Sequence, residues 1–321
     1  MTYTLGSLIE ATDYNGFVST TSGANVNATW GTGSTSAGYG QTPLATVSTG
    51  GTVTATQWAS LVNTIAAMAN HQGTTITSRA APVAGNVIAI LSAVNTDITS
   101  CYNNRGNAVA QGSQYSTITG TNSKTSTTSG ATWTITFTNT VTFTSADAAR
   151  YFFNAGGTVK IDVSKTSTGQ DGDAEWNDLA GTLCGDIYIS GGDYSQTING
   201  QAYTGTTKIG GTGSPAVLNT TIGFFDLVAG ASATVVYRQN ADTAPYTNNF
   251  IQHSIAKGAS SDTLVITTLW SASDGDTISG GTAASGATPG TAPCTIATYF
   301  PPSTTYLSNS WGTPTIAATT T

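Results

Sequence analysis

The sequence is short of charge. Lys, Arg, Asp and Glu make up 8% of its 321 residues, against about 25% in ordinary soluble domains. Only 9 are Lys or Arg, and the formal net charge is −7. So few cations cannot neutralise a run of phosphates, which argues against nucleic-acid binding, and they give little hold on an anionic membrane. Histidine occurs only as His71 and His253, and glutamate only as Glu10 and Glu175. The signatures HExxH, GxSxG and the Gly-Lys-Ser/Thr phosphate loop are missing, so zinc proteases, serine hydrolases and P-loop enzymes lose their usual support. Cys101, Cys184 and Cys294 form no CxxC pair. That spacing argues against zinc, the odd count argues against a disulfide framework, and the three read as free thiols from a reducing compartment. The opening residues, Met1-Thr2-Tyr3-Thr4-Leu5-Gly6, lack the basic and apolar regions of a signal peptide, and no apolar run is long enough to span a bilayer.

What is present is apolar and hydroxylated. Hydrophobic residues make up 38%, with 6 Trp, 13 Tyr and 9 Phe, so a packed core is within reach. Thr, Ser, Gly, Ala and Asn occupy the places that charge leaves open. A surface of that kind stays soluble through hydroxyls and amides, or through burial in an assembly.

Residues 1–112 read as a helical region that attaches the chain to something else, and 113–321 as a β-rich part with a further division near 200. Thr54 and Gln57 have capping-box spacing, and Trp58, Leu61, Val62 and Ile65 recur at helical intervals. They predict a helix of about four turns ending near Asn70. Val87, Leu91, Val94, Ile98 and Cys101 predict a second helix. Ala11-Thr12-Asp13-Tyr14 with Val18 matches Ala55-Thr56-Gln57-Trp58 with Val62, a weak internal repeat of two helical openings. The stretch 19–52 reads as an irregular connection.

From 131 the period becomes two. Trp133, Ile135, Phe137, Val141 and Phe143 share one face, and Thr132 to Thr144 at even positions share the other, which predicts a strand with one buried side. Asn139 interrupts the apolar set, so a turn there is an alternative; uninterrupted, the strand runs about 13 residues, roughly 40 Å. Ser145 to Phe153 reads as a short helix or turn, stopped by Asn154-Ala155-Gly156-Gly157. Val159–Val163, Ile187–Ile189, Ile222–Leu227, Thr234–Tyr237, Phe250–Ile255, Leu264–Leu269 and Thr295–Tyr299 read as further strands. Many short strands between turn signals indicate an antiparallel β-sandwich-like fold, mainly β after the helical opening. The Thr/Ser-rich tail beyond Pro301 reads as fraying unless neighbours hold it, with Trp311 as an anchor.

Asp171, Asp173, Glu175 and Asp178 form the one dense acidic cluster, beside Trp176. It could hold calcium or face a sugar, although it lacks the full calcium-hand pattern, and acidic runs are commonly solvated turns. Asp173, Glu175, Trp176 and Tyr194 are the residues best suited to a shallow glycan site, with an aromatic ring to stack and acids to bind hydroxyls. A glycosidase would need two carboxylates about 5–9 Å apart across a sugar bond, and no second pair stands out. No catalytic, metal or cofactor residues are assigned, and His71 and His253 read as structural.

Three segments resemble structural proteins of tailed phages, notably cyanophages and other marine phages. They are Trp30-Gly31 with Gly38-Tyr39-Gly40-Gln41, Val53 to Leu61 running on to His71-Gln72-Gly73-Thr74, and Phe143 to Gly157. The likeness covers roughly residues 1–160 and implies a non-enzymatic virion component: a tail fibre, another tail or neck appendage, or a baseplate-associated subunit. Expected partners are further copies of the chain, a trimer in a fibre, and other virion proteins, with manufacture in the host cytoplasm. The alternative is a receptor-binding module for host-surface polysaccharide, and behind it a polysaccharide depolymerase.

Overall fold

The computed structural model describes residues 10–20, 23–84, 91–114, 122–123, 132–165, 171–272 and 294–321, with residues 91, 92, 122, 123 and 171–173 described by backbone alone. Helices come first: α1 (Ala11–Val18), α2 (Val26–Thr29), α3 (Ala55–Gln72) and α4 (Leu91–Asn103). Then come β1 (Asn122–Ser123), β2 (Trp133–Thr142), α5 (Ala146–Asn154), β3 (Thr158–Ser164) and α6 (Asp171–Asp178). α6 runs on through a π-helical turn at Leu179–Cys184 into β4 (Asp186–Ile189). β5 (Gln196–Ile198) and β6 (Gln201–Tyr203) form a small hairpin, followed by β7 (Thr206–Ile209) and β8 (Val217–Leu218). The rest are β9 (Thr234–Asn240), β10 (Phe250–Lys257), β11 (Thr263–Ala272), β12 (Cys294–Phe300) and β13 (Thr315–Thr320).

The chain is mainly β, with antiparallel sheets packed as a sandwich and a short helical region at the front. One sheet has the order β1-β12-β3-β4-β7, the other β13-β2-β11-β10-β9-β8. Their inner faces meet through large rings. Trp270 of β11 donates from Nε1 to Thr295 Oγ1 of β12 at 3.1 Å. Phe152 of α5 lies edge-on to Tyr299 of β12 at 6.0 Å.

α3 starts as its spacing predicts: Thr54 Oγ1 accepts from the Gln57 amide at 3.3 Å, and Gln57 Oε1 accepts from the Thr54 amide at 2.9 Å. It ends at Gly73, whose φ of 71° an L-residue adopts only under strain. The repeat is structural. At both helix starts the residue three places on accepts from the N-cap amide, Asp13 from Glu10 in α1 and Gln57 from Thr54 in α3, and the equivalent aromatics Tyr14 and Trp58 lie 6.0 Å apart. In α4, Val94, Ile98 and Cys101 are buried; Val87 lies outside the described residues. The described residues of the stretch 19–52 are irregular apart from α2.

β2 bears out the period of two, with its odd positions buried from Trp133 to Val141. There is no turn at Asn139. The strand passes straight through it, pairing with Ile266 on one side and Ala318 on the other. Ladder bonds on both sides outweigh the cost of burying one amide whose Nδ2 finds no partner. Ser145 caps α5 by accepting from the Ala148 amide at 3.0 Å. Gly157 follows the helix because a Cβ there would stand 2.5 Å from the Phe152 ring.

Two expectations are corrected. Residues 222–227 form a 3-10 turn over Phe224–Asp226, not a strand. Asp226 accepts from the Gly223 amide at 2.8 Å, while Phe224 stacks on Phe153 at 4.5 Å. The C-terminal tail is held by its own chain: β13 pairs with β2, and Trp311 is 1% exposed.

The helical region and the sheets share one core. A single cluster of buried side chains runs from Ala11 to Trp311. Helices before residue 112 and strands after it therefore bury side chains in the same cluster. A small second cluster of Ala108, Ile198 and Tyr203 spans that border.

Candidate functional site

Among the residues nominated for a glycan site, Trp176, Tyr194 and Glu175 do not share one environment. Trp176 is 3% exposed and sits inside a ladder of rings, 4.9 Å from Trp133 and 5.7 Å from Trp270. It is a core residue, closed to a stacking sugar. Tyr194 is half-buried against the helical region, where the Arg105 guanidinium lies 4.6 Å over its ring and Gly106 leaves room for it. Its hydroxyl is buried without a hydrogen-bond partner, and burial pushes its pKa above the usual phenol range. The side chain of Asp173 lies outside the described residues.

Glu175 has different company. α6 places Glu175 and Asp178 three residues apart, hence on one face. The loop between β9 and β10 brings Asp242 to them, so that one carboxylate oxygen from each of the three lies within 4.8 Å of the others. Asp242 is exposed, Asp178 half-buried and Glu175 buried at 8% exposure. Glu175 Oε1 is enclosed and accepts no hydrogen bond. Burial raises the Glu175 pKa, and the charges of Asp178 and Asp242 raise it further; hydrogen bonds from Thr243 oppose them. None of the ion pairs among the described residues reaches this trio. Oxygen ligands of this kind suit a hard cation.

A cleft of about 470 Å³ opens in the helical region, lined mainly by hydroxyls and amides, among them Thr20, Asn25, Ser34 and Ser36, with Arg105 its one charged wall. The Arg105 Nε donates to Ser36 O at 3.0 Å. The group is thus already engaged as a brace.

Both histidines are enclosed in the core. His71 Nε2 lies 3.1 Å from Ala155 O, and its ring meets Tyr39 edge-on at 5.3 Å. His253 stacks on Tyr237 at 5.3 Å, with Nδ1 2.9 Å from Thr268 Oγ1. The Thr268 hydroxyl beside His253 Nδ1 has the residue types of a nucleophile and a base, but both residues are 0% exposed, so the pair is closed to a substrate. Cys101 and Cys184 are buried, Cys294 is half-buried, and all three are free. Burial pushes the Cys101 thiol up to about 12, which leaves it unreactive.

Three segments singled out in the sequence, around Tyr39, Gln72 and Asn154, meet in space. Tyr39 comes from the first; its hydroxyl accepts from Gln72 Nε2 of the second at 2.8 Å and donates to Arg105 O at 2.7 Å. Asn154 of the third donates from Nδ2 to Gly38 O at 3.1 Å, and Arg150 donates to Ala37 O at 2.7 Å. His71 of the second closes the set on Ala155. Gln41 extends it to the C-terminal loop, donating to Ser308 O at 2.9 Å and accepting from the Ser308 amide at 2.8 Å. Sequence inspection picked out the segments but carried no sign that they converge. No family model, curated protein or solved structure matches the chain.

Proposed function

We propose that this chain is a structural subunit of a tailed-phage virion, a tail or other appendage component that assembles with copies of itself and with other virion proteins. The observation that carries the reading is the outer face that β13, β2 and β11 give the six-stranded sheet. There Thr140 stands between Val265 and Ala317, Thr138 between Thr267 and Thr319, and Thr136 beside Leu269. β13, β2 and β11 contain no Asp, Glu, Lys or Arg, and these outward positions are exposed or half-exposed. Free sheets commonly guard such surfaces and edges with charge. A methyl and hydroxyl face without charge suits burial against another subunit. The likeness of residues 1–160 to phage structural proteins supports the same reading, and their buried junction around Tyr39 gives those segments an architectural role.

Light scattering after size exclusion tests this directly. The wild-type chain is expected to form a symmetric oligomer, and Thr140→Arg to weaken it while the isolated fold keeps its melting temperature. A wild-type monomer at high concentration rejects assembly through self-association. An oligomer indifferent to Thr140→Arg rejects this face as the contact.

A further inference from the structure

We propose that Glu175, Asp178 and Asp242 form a binding site for a calcium-class divalent cation that staples α6 to the loop between β9 and β10. Three observations converge. One oxygen from each carboxylate lies within 4.8 Å of the others, and two oxygens on opposite sides of a calcium ion, each about 2.4 Å from it, are about 4.8 Å apart. Glu175, 8% exposed, has a buried oxygen, Oε1, that no donor among the described residues reaches, although Thr243 serves the carboxylate otherwise. A buried carboxylate oxygen without a partner is costly, and a metal ion is one of the few things that satisfies it. No ion pair among the described residues offsets the three charges.

The chemistry selects the class of ion. All three donors are hard carboxylates, which disfavours zinc and copper relative to calcium or magnesium. The trio comes from a helix and a loop, an irregular set that calcium accommodates more readily than magnesium with its strict octahedron. Water can fill the remaining positions on the exposed Asp242 side. The ion would cancel the repulsion and join two elements that approach from opposite sides of a long sequence gap. This inference stands apart from the assembly reading, because a monomer could bind the ion equally well.

The test uses the full chain stripped with EDTA. Titration with calcium chloride by calorimetry is expected to show one saturable site. Terbium, a calcium stand-in, should give emission sensitised by Trp176, the residue next to Glu175, and excess calcium should quench it. Calcium should raise the melting temperature by mass action on the folded state. Asp242→Asn, on an exposed loop, should keep the fold and weaken binding about tenfold or more, since affinity follows the number of charged ligands. Glu175→Gln should weaken it further and raise the melting temperature of the metal-free chain. No heat, no terbium signal and no thermal shift in the wild type overturns the proposal. So does undiminished binding by the Asp242→Asn, Glu175→Gln double variant, and so does a magnesium response equal to that of calcium.

Discussion

His71 and His253 are the only imidazoles in the chain, and both are almost fully enclosed, at 1% and 0% exposure. Burial lowers the His71 pKa from 6.5 to about 4, although the bond to Ala155 pulls the other way, and lowers that of His253 to about 3. The unfolded chain protonates both near the ordinary value, so between the two sets of values it binds more protons than the fold does. The stability these neutral rings allow is complete above about pH 6.5 and falls as the pH drops towards about 4 and then about 3. Proton NMR of the two rings is expected to show no titration between roughly pH 8 and roughly pH 5 while the protein stays folded. A midpoint near the ordinary histidine value in either ring contradicts the enclosed placement. Trp176 makes a second case at this scale. Its ring fills the space between Trp133 and Trp270, so Trp176→Ala is expected to cost about 3–5 kcal/mol in urea unfolding. A loss under about 0.5 kcal/mol is what a surface ring would show.

Among elements, legibility followed local periodicity. β2 was readable because its alternation is local and its odd positions all face the core. α3 was readable because Thr54 and Gln57 announce its start and Trp58, Leu61, Val62 and Ile65 recur at helical intervals, although it runs to Gln72 rather than stopping near Asn70. β13 escaped notice because Thr-Ile-Ala-Ala-Thr-Thr has one large apolar side chain and gains its structure from pairing with β2. α6 escaped notice because Asp, Gly and Asn are poor helix formers, and the helix is secured instead by burying Trp176. The aromatic pair Phe224-Phe225 imitated a strand, but the Asp226 bond to Gly223 closes a turn there. The junction of α4 with the segment after α3 was invisible in sequence. Arg79 and Asp97 pair at 9% and 6% side-chain exposure, and Asp97 also accepts from the Thr77 amide at 3.1 Å. Asp97→Ala is expected to destabilise by about 3–5 kcal/mol, because it strands a buried guanidinium. Asp147→Ala, which removes the exposed partner of Arg150, should stay within about 0.5 kcal/mol. Equal losses from the two in thermal or urea melts would contradict the burial contrast.

For the whole molecule, the sandwich class was legible from the number of short strands, whereas the shared core was not, because composition changes at about residue 112 without any change in what the side chains bury against. The acidic trio shows the same limit. Glu175 and Asp178 are neighbours in sequence, but Asp242 joins them only through the β9–β10 connection. No spacing rule links a helix to a loop so far downstream. The scarcity of charge, visible at once in the composition, becomes a located feature in the fold: the Thr face of β13, β2 and β11, on which the assembly proposal rests.

The bonds between Gln41 and Ser308 join residues near opposite ends of the sequence, and β13 completes a sheet begun by β2. Synthesis proceeds from the N-terminus. The first four helices leave the ribosome long before Ser308 exists, so the lock on the Tyr39 junction closes only after the intervening strands have been made. Until then the uncharged Thr strand β2 waits with one flank open, and translation itself sets the interval during which premature pairing between nascent chains competes with the native sheet.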